Sequence, residues 1–266
     1  MQLTMHIVDA FTDTLFHGNS AAVVINDTWL ESDLMQSIAL ENNLSETAFL
    51  VKDAEGVFHI RWFSPITEID FCGHATLASA FVLFEAEPEQ KSLTFYAKAV
   101  GQMTITKNTT GQIEMDFPNR APHPVAKADI PTQLLDGLSI PPLEVLKNDQ
   151  AYFAVYPDEK TVRAITQAPA ALKQLGPLDV VVTAEGDEAD FVSRYFWPAN
   201  GGDEDPVTGS IHTGLAPFWA SRLNKHTLIA KQVSKRTGTL YCEVINDRVK
   251  ISGHAVKYLT GSISVG

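Results

Sequence analysis

The chain has 266 residues, 45% of them hydrophobic and 20% charged, with a formal net charge of -12. The length suits one large domain or two of about 130 residues, and the acidic balance argues against nucleic acid as a partner. Two cysteines, Cys72 and Cys242, are too few for a disulfide framework, no stretch reaches the roughly 18 apolar residues of a membrane helix, and Met1–Ala10 lacks a signal-peptide pattern, so a cytoplasmic protein without a membrane partner is expected.

In chain order, strands are predicted at His6–Ala10 and Ala21–Ile25, then a helix over Ser32–Leu40 with Ser32 as its N-cap. Strands follow at Thr47–Val51 and Phe58–Phe63, rich in β-branched and aromatic residues. A helix opens at Gly73 and reads G-H-A-T-L-A-S-A-F-V-L-F, apolar nearly all round, so it must be buried on every side. Met103–Thr106 and Gln112–Asp116 are the last strands of this half. Phe117–Pro142 carries Pro118, Pro122, Pro124, Pro131, Pro141 and Pro142 and reads as a connection between domains. The second half repeats the plan, with strands at Tyr152–Tyr156, Val180–Thr183, Phe191–Phe196, Leu240–Ile245 and Val249–Ser252 and a helix opening at Gly209.

The halves also match at landmarks. R-W-F-S-P at 61–65 corresponds to R-Y-F-W-P at 194–198, each followed by acidic residues and then a glycine-led helix. G-Q-M-T-I from Gly101 matches G-T-L-Y-C from Gly238, and I-E-M from Ile113 matches V-K-I from Val249. The three offsets, about 133 to 137 residues, equal half the chain and occur in order, which is the mark of an internal duplication. The expected fold is α+β, two pseudo-symmetric domains, each a curved sheet wrapped around a central apolar helix.

Helix N-termini present unpaired N–H groups and a partial positive charge, and so attract carboxylates. Gly73 and Gly209 occupy such positions, with His74 beside the first and Thr208, Ser210 and His212 around the second. Asp205, just before Pro206, reads as an N-cap with proline at N1, a structural role that competes with a catalytic one. Glu46, in N-L-S-E-T-A-F-L, leads directly into an apolar strand, and the second half has no counterpart to it. One unmatched acid in a duplicated chain points to a single asymmetric site, where partial burial would favour proton transfer. The competing role for Glu46 is a surface or capping one.

N-L-S-E-T at 43–47, F-C-G-H-A-T at 71–76 and E-D-P-V-T-G-S at 204–210 resemble the phenazine-biosynthesis PhzF-like family in order and spacing, as does D-A-F-T-D-T-L-F-H-G-N-S-A-A-V-V at 9–24. The resemblance runs the length of the chain. It implies the diaminopimelate epimerase-like fold, with domains at 1–117 plus 258–266 and at 118–257 and a site between them. It implies a cofactor-free, metal-free isomerase that moves a proton on a small carboxylate, as in isomerisation of a dihydro-hydroxyanthranilate. Glu46 would be the general acid/base, with His74 and Asp205 orienting the substrate. Gly73, Gly209, Ser210, Thr208 and Asn19 would bind it. A homodimer is the default for such enzymes. The chain departs from the family pattern at Ser20, where a proline is common, and at Val233, where a glycine is common. The second half also has Asp205-Pro206-Val207-Thr208 where the epimerases carry a second cysteine, which argues against two-cysteine racemisation. Three alternatives stand beside this reading: a non-catalytic carboxylate-binding protein, a racemase acting through Cys72, and a metal-dependent hydrolase using His74, His212 and Asp205. The last lacks any H-E-x-x-H spacing.

Overall fold

A computed structural model describes residues 1–265. The chain divides into two compact units, Met1–Asp116 together with the C-terminal segment from Ser252, and Phe117–Ile251.

The first unit is built in chain order from β1 (Gln2–Ala10), β2 (Asn19–Asn26), α1 (Ser32–Asn42), β3 (Glu46–Lys52), β4 (Phe58–Phe63), β5 (Glu68–Ile69), α2 (Gly73–Ala86), β6 (Ser92–Ala97), β7 (Gly101–Lys107) and β8 (Ile113–Pro118). β1 runs antiparallel to β2, β2 parallel to β3, β3 antiparallel to β4, and β4 parallel to β6. β6, β7 and β8 continue antiparallel, and the C-terminal strand Ala255–Ser264 closes against β1.

Both faces of this sheet are covered, which is why its central strands read as continuous apolar runs rather than alternating ones. In β2, Ala21, Ala22, Val23 and Val24 are all fully buried. Ala22 and Val24 join Met5, Phe49 and Phe63 under Met35, Ile38 and Ala39 of α1. α2 packs against β1, β2 and β3. From Gly73 to Phe84 only Phe81 is even partly exposed, as the all-round apolar sequence requires. α1 starts at Ser32 itself, with Glu31 at the N-cap and no side-chain cap. The expected N-cap serine instead takes a hydrogen bond from Arg61 Nη2 at 3.1 Å.

The second unit comprises β9 (His123–Pro124), α3 (Thr132–Gly137), β10 (Glu144–Lys147), β11 (Ala151–Val155), α4 (Glu159–Ala164), α5 (Pro169–Leu172), β12 (Asp179–Glu185), β13 (Phe191–Trp197), β14 (Gly202–Asp205), α6 (His212–Leu223), β15 (Thr227–Gln232), β16 (Gly238–Ile245) and β17 (Arg248–Gly253). Its pairing repeats the first unit's: β10 antiparallel to β11, β11 parallel to β12, β12 antiparallel to β13, and β13 parallel to β15. The Phe117–Pro142 stretch, read as a connection, contributes β9 and α3 to this unit. Its core gathers Leu134 and Leu138 with Ala154, Val162, Val180, Val182 and Phe196.

The duplication extends to side chains. Arg61 on β4 grips Glu68 on β5 with Nε and Nη2, both at 2.6 Å. Arg194 on β13 grips Glu204 on β14 in the same two-pronged way, at 2.8 and 2.9 Å. Each guanidinium also lies 5.1 Å from the ring two residues on, Phe63 or Phe196. This paired geometry is what the R-W-F and R-Y-F motifs encode.

Candidate active site

Glu46 is the first residue of β3, opposite Ala21 in the parallel register with β2. His74 sits in the first turn of α2, whose N-cap is Cys72. Packing α2 on β2 and β3 brings these residues together. His74 Nε2 lies 2.8 Å from Glu46 Oε2, with both side chains more than nine-tenths buried. The contact is close but not aligned as a hydrogen bond, so Oε2 has no hydrogen-bond partner. Cys72 Sγ lies 3.4 Å from His74 Nδ1 and takes the helix-capping N–H of Ala75 at 3.5 Å.

Asn19 holds the ring from the other side. Its Nδ2 donates to His74 Nδ1 at 3.2 Å, and its Oδ1 accepts from Ser45 Oγ at 3.0 Å. That arrangement suits a neutral ring. Turned over, the amide presents Oδ1 to an imidazolium while Nδ2 donates to Ser45, so Asn19 serves either charge state. Burial works against a charged His74. Cys72 and the Glu46 carboxylate outweigh it and hold the ring well above the ordinary histidine range. Burial, reinforced by the Glu46 charge, pushes the Cys72 thiol up to about 11, so it is a poor base near neutrality. Cys72 and Cys242 are both buried and free.

In the second unit the helix begins at His212, three residues later than the glycine-led expectation. Gly209, Ser210 and Ile211 carbonyls instead accept from residues three ahead, at 3.0 to 3.1 Å, which winds the entry as a tight turn. Asp205 consequently ends β14 and is not a helix N-cap. Its Oδ2 accepts from the Thr208 hydroxyl at 2.5 Å. Gln232 braces this loop from β15, donating to Asp205 O at 2.7 Å and accepting from Thr208 N at 2.9 Å. Ser210 Oγ accepts from Gln150 Nε2 at 2.9 Å, and Gln150 also reaches Tyr195 OH, which donates to Asp179. Asp205, Thr208 and Ser210 lie within the E-D-P-V-T-G-S motif, whereas Gln150, Tyr195 and Asp179 carry no motif.

His212 is the first residue of α6 and lies two positions beyond Ser210, the residue that the Gly73–Gly209 match sets opposite His74. Its Nδ1 donates to Thr208 O at 2.8 Å, its ring packs against Phe191, and burial drives its pKa down to about 4. Among the described residues, the group of metal-ligating type that comes together is Glu46, Cys72 and His74, with one ligand atom from each within 4.8 Å of the others. A surface cavity of about 620 Å³ on the first unit is lined by Arg61, Trp62, Glu68, Asp70 and Lys98 and includes none of these three. The two departures from the family pattern lie next to site-supporting residues: Ser20 donates to Asp9, and Val233 N bonds Ser193 O at 2.8 Å in the core.

Two units, each with a sheet packed on a central helix, define the fold class. The chain is 10% identical, with a TM-score of 0.58, to a hydroxyproline epimerase from Agrobacterium vitis, covering 98% of this chain and 92% of that one. That likeness establishes the shared epimerase-like α+β fold. Residues 8–261 match the family described as phenazine biosynthesis-like protein, and the chain belongs to that PhzF family. It is 46% identical over 263 residues to an uncharacterized isomerase of Pseudomonas aeruginosa, with 99% of each chain covered. A PhzF-family crystal structure from Enterococcus faecalis superposes with a TM-score of 0.94 at 43% identity over all of both chains. Among the described residues, no helix is long and apolar enough to cross a membrane.

Proposed function

We propose that the protein is a cofactor-independent isomerase that moves a carbon-bound proton on a small amino- or hydroxy-carboxylate, with Glu46 as general acid/base. The observation that carries this reading is the buried Glu46 carboxylate, whose Oε2 has no hydrogen-bond partner and lies 2.8 Å from His74 Nε2. An oxygen in that state is positioned to take a proton from carbon.

In this mechanism Glu46 removes a proton from a carbon conjugated to the substrate carboxylate and returns it to a second carbon of the same system. Negative charge builds on the substrate between the two transfers. The opening N–H groups of α2, at Gly73 and His74, have no acceptor within the helix and stabilise that charge. His74, held by Asn19, orients the substrate's polar group beside Glu46. In the second unit, family resemblance assigns substrate binding to Asp205, Thr208, Gly209 and Ser210. The resemblance also names the first substrate to try, a dihydro-hydroxyanthranilate.

The test is deuterium uptake from D₂O, followed by NMR, across a panel of small unsaturated carboxylates that includes this one. Wild type is expected to incorporate deuterium at carbon, and Glu46→Gln to do so at least about 100-fold more slowly. Equal uptake by the two proteins removes Glu46 from the mechanism.

A further inference from the structure

Glu46, Cys72 and His74 also form a ligand set of a different kind. Carboxylate, thiol and imidazole are the side chains that bind zinc, and three protein ligands with a fourth position open make a stable site. All three are buried here, and their ligand atoms lie within 4.8 Å of one another. A tetrahedral zinc with these donors needs ligand atoms about 3.3–3.5 Å apart. The contacts present are 2.8 Å between Glu46 Oε2 and His74 Nε2 and 3.8 Å between Cys72 Sγ and that nitrogen. Small side-chain rotations close the difference, with the Glu46–His74 ion-pair contact exchanged for bonds to the metal.

From this cluster we infer that the site binds a thiophilic divalent cation, zinc(II) being the type case. The surroundings fit. A divalent cation joined to one thiolate and one carboxylate is neutral overall, so burying it carries little of the cost of an unpaired charge. The Cys72 thiolate would sit at the N-terminus of α2 and take the Ala75 N–H, both of which favour negative sulfur. A histidine that binds metal through Nε2 needs an acceptor for its Nδ1–H. Asn19 supplies one when its amide oxygen faces the ring and its nitrogen donates to Ser45, whose Oγ already lies 3.0 Å away. On binding, the thiol proton and the ring's exchangeable proton at Nε2 leave to solvent, and no redox change occurs. The cation occupies the oxygen that the proposed reaction uses, so it acts as a reversible inhibitor; this consequence rests on the proton-transfer reading above, whereas binding itself does not.

The experiment is equilibrium dialysis of the full chain against zinc(II), paired with cobalt(II) absorption spectra. One zinc per chain is expected, together with a thiolate-to-cobalt charge-transfer band. Cys72→Ser keeps an oxygen at the helix cap but should abolish the band and weaken zinc binding by more than about 100-fold. Cys242→Ser should change neither. Glu46→Gln gives an independent variant, with binding weakened at least about tenfold and the band retained. Absence of the band in wild type, or its persistence in Cys72→Ser, overturns the site. Zinc that binds through Cys72 yet leaves deuterium uptake unaltered overturns the inhibition, and a chain with no detectable turnover still answers the binding question.

Discussion

Each half has a buried histidine in the first turn of its central helix, two positions out of step between the halves, and the two have opposite characters. His74 meets a carboxylate and a thiol and is held well above the ordinary histidine range despite burial. His212 meets an aromatic ring and a backbone carbonyl, and the same burial takes it down to about 4. The backbone plan is duplicated in the two units, so the difference lies in a few side chains. Glu46 at the head of β3 is the main one; the sequence showed no counterpart to it, but the register sets Asp179 at the head of β12 in the same place, where it accepts from Tyr195 OH rather than meeting a histidine. Duplicated architecture thus carries one acid–histidine pair and one histidine held by a backbone carbonyl.

Glu46→Gln tests the contrast between the two histidines most directly. Besides the loss of deuterium uptake described above, His74 should titrate at lower pH by NMR, because a carboxylate that favours its charged form is gone. His212 should stay near 4. If both histidines shift together, the contrast does not depend on Glu46.

The next effect is on stability against pH. His212 is charged in the unfolded chain below about 6.5 but neutral in the folded chain down to about 4. The unfolded state therefore binds more protons in that window, and folding weakens as pH falls through it, by about 3 kcal/mol in total. His74 acts in the opposite sense: its raised pKa contributes stability that is full below about 6.5 and is lost as pH rises through its folded value. His212→Asn keeps a donor for Thr208 O and removes the titration. Urea unfolding at pH 4 and pH 7 should then show a smaller difference than wild type, and an unchanged difference would place the acid sensitivity elsewhere.

A smaller effect separates the two arginine pairs. Arg194 is mostly buried and also donates to Ile165 O at 2.7 Å, whereas Glu68 of the other pair is 43% exposed. Arg194→Met should cost about 2–3 kcal/mol by denaturant unfolding, and Arg61→Met less than about 1 kcal/mol. Equal losses would mean that burial does not decide the value of these pairs.

Much of this was readable from the chain. β4 was predicted residue for residue as Phe58–Phe63, and the R-W-F and R-Y-F repeats marked equivalent strands. β6 and β15 were missed. Both are parallel partners of a strand far away in sequence, Phe58 opposite Phe95 and Phe191 opposite Ala230, and gain their place from that pairing rather than from a strong local pattern. The entry to α6 was misjudged because a glycine start looks the same before a regular helix and before a tight turn, and Gln232 from a distant strand is what braces the loop.

Sequence alone determined the duplication, the buried helix α2 and the candidate residues Glu46 and His74, because repeats, apolar runs and motifs are written in local order. Only the tertiary structure decided that Glu46 and Cys72 both reach His74 while no acid reaches His212. That outcome depends on strand register and helix packing across separations of tens of residues, where a shift of one position turns a side chain to the opposite face.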